Sequence, residues 1–262
     1  MAKKKPRIVA VANEKGGVGK TAMVVNLGAA LVKEGMKVLI VDMDPQHNAT
    51  TGLGIDVEDE AASIYDLIGE EEGASAEDAV YATRWPGLDV IPSHPDLAGA
   101  EVELVEAEGR ENRLKEAIEP LLPSYDCVIL DTPPSLSLLT INVFACATEV
   151  LVPCQTHPYA FHALEDLFDT ISDVREEINP KLRLTGVVPT FYDQRMRICR
   201  SILDRLRSDE RYRKLVFDTC IRSNVTIAAS ADAGKPILFY RSTSYGAQDY
   251  ARLAQEFLEK AA

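Results

Sequence analysis

The 262-residue chain has no Lys or Arg between Lys37 and Arg84, no Cys-x-x-Cys pair and a single tryptophan. No apolar run approaches the about 20 residues that cross a bilayer as a helix, which argues against a membrane-spanning protein. Its five cysteines, Cys127, Cys146, Cys154, Cys199 and Cys220, are odd in number and widely spaced. That pattern argues against a disulfide framework and a thiolate zinc site, and it reads as buried thiols. The four histidines, His47, His94, His157 and His162, show no metal-ligand spacing either. The start, MAKKKPRIVAVANEK, places basic residues before an apolar run too short for a secretory signal, so a cytoplasmic protein is expected.

With 46% hydrophobic and 26% charged residues the chain has the make-up of a folded globular protein. Its length suits one large α/β domain over residues 1–262. The formal net charge of −13 at first argues against nucleic acid, because Lys and Arg supply most non-specific binding to phosphates. The charge is unevenly spread, however. Asp56 to Asp78 holds ten acids, read as a solvated surface region, whereas Arg195 to Lys214 holds eight basic residues against three acidic ones.

Apolar runs begin at Arg7 (RIVAVAN), Lys37 (KVLIVDMD), Leu88 (LDVIPS), Cys127 (CVILD), Glu149 (EVLVPC) and Leu184 (LTGVVPT). Most are continuous rather than alternating, as strands covered on both faces require. Helix-period segments lie between them, over 21–34, 111–121, 136–147, 160–177 and 246–260. Strand and helix in alternation predict a twisted, mostly parallel sheet with helices on both faces, whose ligands sit beyond the carboxyl ends of the strands.

NEKGGVGKT, from Asn13 to Thr21, follows the first strand and opens a long helix. The spacing nearly matches a phosphate-binding loop, with Glu14 where the first glycine usually stands and an added Lys15. Backbone N–H groups at Gly16, Gly17 and Gly19 can face phosphate oxygens at a helix N-terminus. In such a loop Lys20 meets the β- and γ-phosphates and the Thr21 hydroxyl ligates Mg2+. VDMDPQ ends a strand with Asp42 and Asp44, and VILDTPP ends another with Asp131, the position of an acid that holds the metal.

The order NEKGGVGKT, VDMDPQHNATTGLG, DLAGAEVEL, YDCVILDTPPSLSLLTINVF and GKPI resembles the ParA family of partition and positioning ATPases, the branch of P-loop NTPases that includes MinD. The resemblance runs from Arg7 to Lys260 and implies a P-loop NTPase fold with ATP and Mg2+ as cofactors. Its loop is a deviant Walker A motif, in which Lys15 matches a signature lysine that crosses a dimer interface to the partner's nucleotide. A cation supplied from outside can offset charge developing on a transferred phosphoryl group. The resemblance makes Lys15, Lys20 and Asp44 catalytic, with Asp44 orienting the attacking water and Asp42 in support. It places Gly16, Gly17, Val18, Gly19, Lys20, Thr21, Ala22, Asp42, Gln46, Asp131 and Asn224 around the nucleotide, and Thr21 and Asp131 at the metal. Gln46 begins the first switch. His47 stands where the family commonly has glycine, and reads either as a modifier of that loop or as a surface histidine.

The resemblance further implies a homodimer when ATP-bound, non-specific DNA binding, nucleoid association and a centromere-binding adaptor of ParB type. The tail GAQDYARLAQEFLEKAA carries only two basic residues against three acids, so membrane attachment is not expected, and Tyr250, Leu253, Phe257 and Leu258 read as a face packed on the body. Read as one helix, RMRICRSILDRLRSDER puts Arg197, Arg200, Arg207 and Arg211 on one face and Ile198, Ile202 and Leu206 opposite. That stripe is either a phosphate-contacting surface or a solvated arginine face. Arg195 aligns with a DNA-contacting position of the family, a second such arginine is replaced by Thr226, and Arg222 is its candidate substitute. The acids near Glu70 to Asp78 are a candidate site for a basic adaptor peptide. Cargo other than a chromosome or plasmid, such as a chemoreceptor array or carboxysome-like body, stays open, as does a metabolic P-loop enzyme, which would leave Lys15 without a role.

Overall fold

The computed structural model describes residues 5–57, 61–69 and 74–260. Seven strands form one sheet: β1 (Arg7–Val11), β2 (Val38–Asp42), β3 (Tyr81–Ala82), β4 (Leu88–Ile91), β5 (Cys127–Asp131), β6 (Glu149–Gln155) and β7 (Arg183–Thr190). Their order is β3-β4-β2-β5-β1-β6-β7, with every pairing parallel except β3 on β4. The six apolar runs all become strands. β3 carries no such run, being two residues long, antiparallel and only partly covered.

Alternate residues of each strand feed two separate cores, which is why the runs are continuous. Ile8, Ala10, Val128, Leu130, Val150 and Val152 face one layer, and Val9, Val11, Ile129 and Leu151 the other. The first layer is built by α3 (Ile64–Ile68), α4 (Leu97–Glu103), α5 (Arg113–Ile118), α6 (Leu138–Cys146), α7 (Ala160–Glu177) and α8 (Arg197–Ser208). The second contains α1 (Lys20–Lys33), α2 (Asn48–Gly52), α10 (Ile237–Tyr240) and α11 (Tyr245–Glu259), with α9 (Val225–Asp232) set against α2 and α10. The helix expected over 111–121 is α5 plus a tighter 3-10 turn, Glu119–Ser124, that accommodates Pro120 and Pro123.

In α11, Tyr250, Leu253 and Phe257 are buried in the core shared with α1, and Leu258 is half-buried. No helix among the described residues is long and apolar enough to cross a membrane. Of the acidic stretch from Asp56 to Asp78, which includes the candidate adaptor site near Glu70 to Asp78, residues 58–60 and 70–73 lie outside the described residues. Within it, Asp66 closes a capping box with Ser63 at the start of α3, and Asp78 accepts the Ser75 hydroxyl.

The expected arginine helix needs correction. α8 ends at Ser208, because Asp209 turns extended and accepts the Arg211 N–H, so Arg211 lies beyond the helix and shares no face with Arg197, Arg200 and Arg207. The buried face of α8 is Cys199, Ile202, Leu203 and Leu206, and Ile198 is 43% exposed at its margin.

Candidate nucleotide site and arginine surface

The register Val11↔Asp131 and Asp42↔Asp131 brings the phosphate loop and both strand-end acids to one carboxyl edge of the sheet. The loop leaves β1 through turns at Gly17 (φ 74°) and Gly19 (φ 93°), and Gly19 sits left-handed at the entrance of α1, where a side chain would be strained. Val18 is buried, and its carbonyl accepts the Thr190 hydroxyl at 2.9 Å, which ties the loop to the end of β7. Loop residues Gly16, Gly17, Gly19, Lys20, Thr21 and Ala22 line a cavity of about 710 Å³ with Asp44 and Gln46.

Other lining residues carry no sequence signal of their own. Asn48, Thr51 and Gly52 come from α2, Phe191 from the end of β7, and Ile227, Ser230, Ala231 and Asp232 from α9, with Lys235 beyond it. Lys235 belongs to the GKPI stretch, the one hint that this far segment closes the site. Asn224, expected at the nucleotide, caps α9 by accepting the Thr226 N–H at 2.8 Å and lines a neighbouring depression; it is not among the residues lining the main cavity. An asparagine with a helix start to cap satisfies an otherwise orphaned N–H there.

Asp42 lies fully buried beneath the cavity and organises the loop above it. Its Oδ2 accepts the N–H and hydroxyl of Thr50 at 2.8 and 2.7 Å, and its Oδ1 accepts the Asp44 N–H. Asp44 in turn accepts the Gln46 and His47 N–H groups. His47 adopts φ 45°, a left-handed conformation that glycine takes at no steric cost, and its ring nitrogen meets the Thr51 hydroxyl at 3.2 Å.

Three ionisable groups crowd the loop. Burial lowers the Lys20 ammonium below its usual value against the pull of Asp131 and Asp44. Burial, then the neighbouring Asp42 charge, raises Asp131 well above the carboxylate range, opposed by the Thr21 hydroxyl and Lys20. Burial also raises Asp42, despite the Thr50 bonds. Asp131 Oδ1 accepts the Thr132 N–H, but Oδ2 is buried with no hydrogen-bond partner. An orphaned acceptor beside a threonine hydroxyl is a donor set suited to a hard, water-carrying cation such as Mg2+.

Lys15 is placed differently. Its Nζ lies 3.4 Å from Gln155 Oε1 at the end of β6, and Lys15 is not among the residues lining the cavity beside it.

On the outer surface, the exposed Arg197 and Arg200 make no ion pair among the described residues. Arg195 is bidentate on Asp193, and Arg207 donates to the Asp218 carbonyl. Arg211 is held by Glu165 of α7 at 2.8 Å and by Asp209. Arg222 is fixed against the fully buried Asp249 and stacks on Tyr245. The eight basic residues counted in sequence therefore shrink to a smaller set of available charges.

A family model described as an AAA domain matches residues 6–184. The chain is 42% identical over 250 residues to the sporulation initiation inhibitor protein Soj of Bacillus subtilis, covering 95% of this chain and 97% of that one. It is 39% identical over 254 residues to the chromosome partitioning protein ParA of Myxococcus xanthus, covering 97% and 88%. Among solved structures, cobyrinic acid a,c-diamide synthase from Mycobacterium smegmatis with bound ADP and magnesium is 36% identical, with a TM-score of 0.82 over 97% of this chain and 94% of that one. The deviant loop, the two acid-tipped strands and the near full-length relatives agree: the chain belongs to the ParA/Soj family, in the ParA/MinD branch of P-loop ATPases.

Proposed function

We propose that this protein is an ATP-dependent dimerising switch for chromosome or plasmid partition, which binds DNA non-specifically when ATP-loaded and releases it after adaptor-stimulated hydrolysis. The observation that carries the proposal is the station of Lys15 away from its own cavity. A lysine of the phosphate loop that rests on Gln155, outside its own cavity, is suited to a second subunit's nucleotide. Gly16, Gly17 and Gly19 cradle the phosphates and Lys20 pairs with them. Thr21 and the orphaned Asp131 oxygen would hold Mg2+, whose charge offsets that of the triphosphate. Asp44, fixed by Asp42 and the turn at Gln46, orients water, and Lys15 supplies a cation across the interface. Relatives named as partition proteins support the cargo assignment and a ParB-type adaptor.

For DNA, Arg197 and Arg200 are the leading contacts, with Arg195, Arg207 and Arg222 available if phosphate replaces their present partners. Such contacts give affinity without base readout. In the cell the protein is then cytoplasmic and held on the nucleoid. Sedimentation of Asp44→Ala with Mg-ATP tests the switch: a dimer is expected, and Lys15→Ala in the same background is expected to stay monomeric. A monomer in both at high concentration would falsify the proposal. The likeness to a diamide synthase favours a second reading, ATP-driven amide formation, in which Lys15→Ala leaves the assembly state unchanged.

A further inference from the structure

Asn13 opens the phosphate loop and has no assigned role, yet it holds both loop lysines. By the register Val9↔Glu149 and Val11↔Leu151, it stands opposite Pro153 just past the last residue of β1. The Ala12 N–H still donates to Leu151 O, and then the backbone turns away. The Asn13 side chain takes over there: Nδ2 donates to the Pro153 carbonyl at 2.8 Å, satisfying an acceptor that a longer strand would have paired. On the other end of the same amide, Oδ1 accepts the Lys15 N–H at 2.9 Å. Its main-chain carbonyl accepts the Lys20 ammonium at 3.0 Å. The residue is 4% exposed, so these bonds face little competition from water.

Two requirements coincide on one short side chain, a donor toward β6 and an acceptor toward the loop. Among side chains of this length only a primary amide supplies both from separate atoms; aspartate has no donor when ionised and leucine has neither. The consequence is directional. With the Lys15 N–H pinned, the chain between residues 13 and 15 is held against β6 and α7, where Glu14 lies 3.4 Å from the Thr170 hydroxyl of α7 and Lys15 lies against Gln155. Lys20, on the cavity side, is held on the Asn13 carbonyl at the same time.

We infer that Asn13 is the positioning residue of the loop: its side-chain amide keeps Lys15 away from its own cavity, free for a second subunit's nucleotide, while its carbonyl holds Lys20 in place until a phosphate takes over that contact. The inference deepens the switch reading and rests on it for the role of Lys15, but its geometric part can be tested alone. In nucleotide-free protein, Asn13→Ala should speed amide exchange of Lys15, followed by NMR, by about fivefold or more, the effect of losing one hydrogen bond. Asn13→Asp keeps the acceptor for that N–H but loses the donor toward Pro153, so its exchange should rise less than in Asn13→Ala; if the alanine variant does not fold, a rise over wild type in Asn13→Asp carries the measurement. Unchanged exchange in either variant, or faster exchange in Asn13→Asp than in Asn13→Ala, overturns the inference.

The second measurement is the protein concentration at which Mg-ATP-loaded, hydrolysis-blocked protein is half dimeric. Asn13→Ala should raise it about threefold to tenfold. Because Asn13 acts on dimerisation through Lys15, which does not line its own cavity, Asn13→Ala should leave nucleotide affinity of the monomer near wild type, whereas a general structural defect would weaken it too. Nucleotide affinity lowered as much as dimerisation overturns the inference. A wild-type protein that never dimerises overturns the switch reading instead, and the exchange rates then decide the positioning claim by themselves.

Discussion

Two buried carboxylates on one sheet are treated in opposite ways. At the amino edge, Glu149 is 2% exposed and fully engaged: Arg7 donates to both of its oxygens at 2.7 Å, the Thr185 hydroxyl adds a third bond and Arg183 stands 3.1 Å away. At the carboxyl edge, Asp131 is more deeply buried, and one of its oxygens has no partner. Burial by itself would raise Glu149, but the bonds from Arg7 and Thr185 and the charges of Arg7 and Arg183 carry it below its usual value. For Asp131 burial prevails and the value rises. The difference separates a buried carboxylate neutralised by its neighbours from one whose buried Oδ2 has no hydrogen-bond partner, the group proposed above to hold Mg2+.

The largest effect that would break this comparison is on stability. Removing Glu149 leaves Arg7, itself packed over Phe257, and Arg183 without their acceptor. Glu149→Ala should cost about 3 kcal/mol, the usual order for breaking a buried ion pair. Calorimetry should then show a melting temperature roughly 6–12 °C lower; a change of only about 1 °C would mean that the amino-edge network contributes little. Asp131→Asn should act in the other direction. The nucleotide-free protein should gain about 1 kcal/mol, because a buried charge that Thr21 and Lys20 only partly offset, and its repulsion from Asp42, are gone. Stabilisation by Mg2+ and nucleotide should vanish in the same variant. A loss of stability in Asp131→Asn would make the two carboxylates alike.

Their pH dependence sharpens the contrast. Asp131 is raised in the fold, so its penalty is absent in acid and grows as pH rises from the unfolded carboxylate range toward its folded value. The advantage of Asp131→Asn should therefore shrink as pH is lowered from about 7 to about 4. Glu149 is depressed, so its contribution is complete above the unfolded value and is lost as pH falls through the folded one. Melting curves of Glu149→Gln should stay below wild type until the pH drops under about 4.

Smaller effects are expected on the arginine surface. Arg200→Ala should lower the slope of log affinity for DNA against log salt by about one and weaken binding a few-fold. Arg211→Ala should leave that slope nearly unchanged, because Glu165 and Asp209 already neutralise its guanidinium. Equal slopes for the two variants would mean that internal pairing does not decide which arginines meet phosphate. Least of all is expected from His47→Gly, which relieves a left-handed backbone and loses one exposed hydrogen bond. Its net gain in stability, measured by denaturant titration, should not exceed about 1 kcal/mol.

The strands, the two covered faces of the sheet and the phosphate loop could all be read from the chain, because each is written in contiguous residues. A continuous apolar run such as CVILD needs only its own side chains to demand burial on both faces, and KGGVGKT needs only its own glycines to make the left-handed turns at Gly17 and Gly19. The short helices α2, α3, α4, α9 and α10 were not readable: eight residues or fewer give too little periodicity to set them apart from loops. Arg211 shows a related limit, since a helical wheel continues past Ser208 whereas the real helix stops at Asp209.

Local chemistry thus determined which groups gather at the carboxyl edge of the sheet, namely the loop glycines, Lys20, Thr21 and two acid-tipped strands. Only the tertiary structure decided what each group faces: Lys15 meets Gln155 across 140 residues of chain, Arg211 meets Glu165, and Phe191 and Lys235 close the cavity. The physical reason is that a side chain's charge and hydrogen-bonding capacity are its own, whereas the partner that satisfies or strands it is set by how distant segments pack.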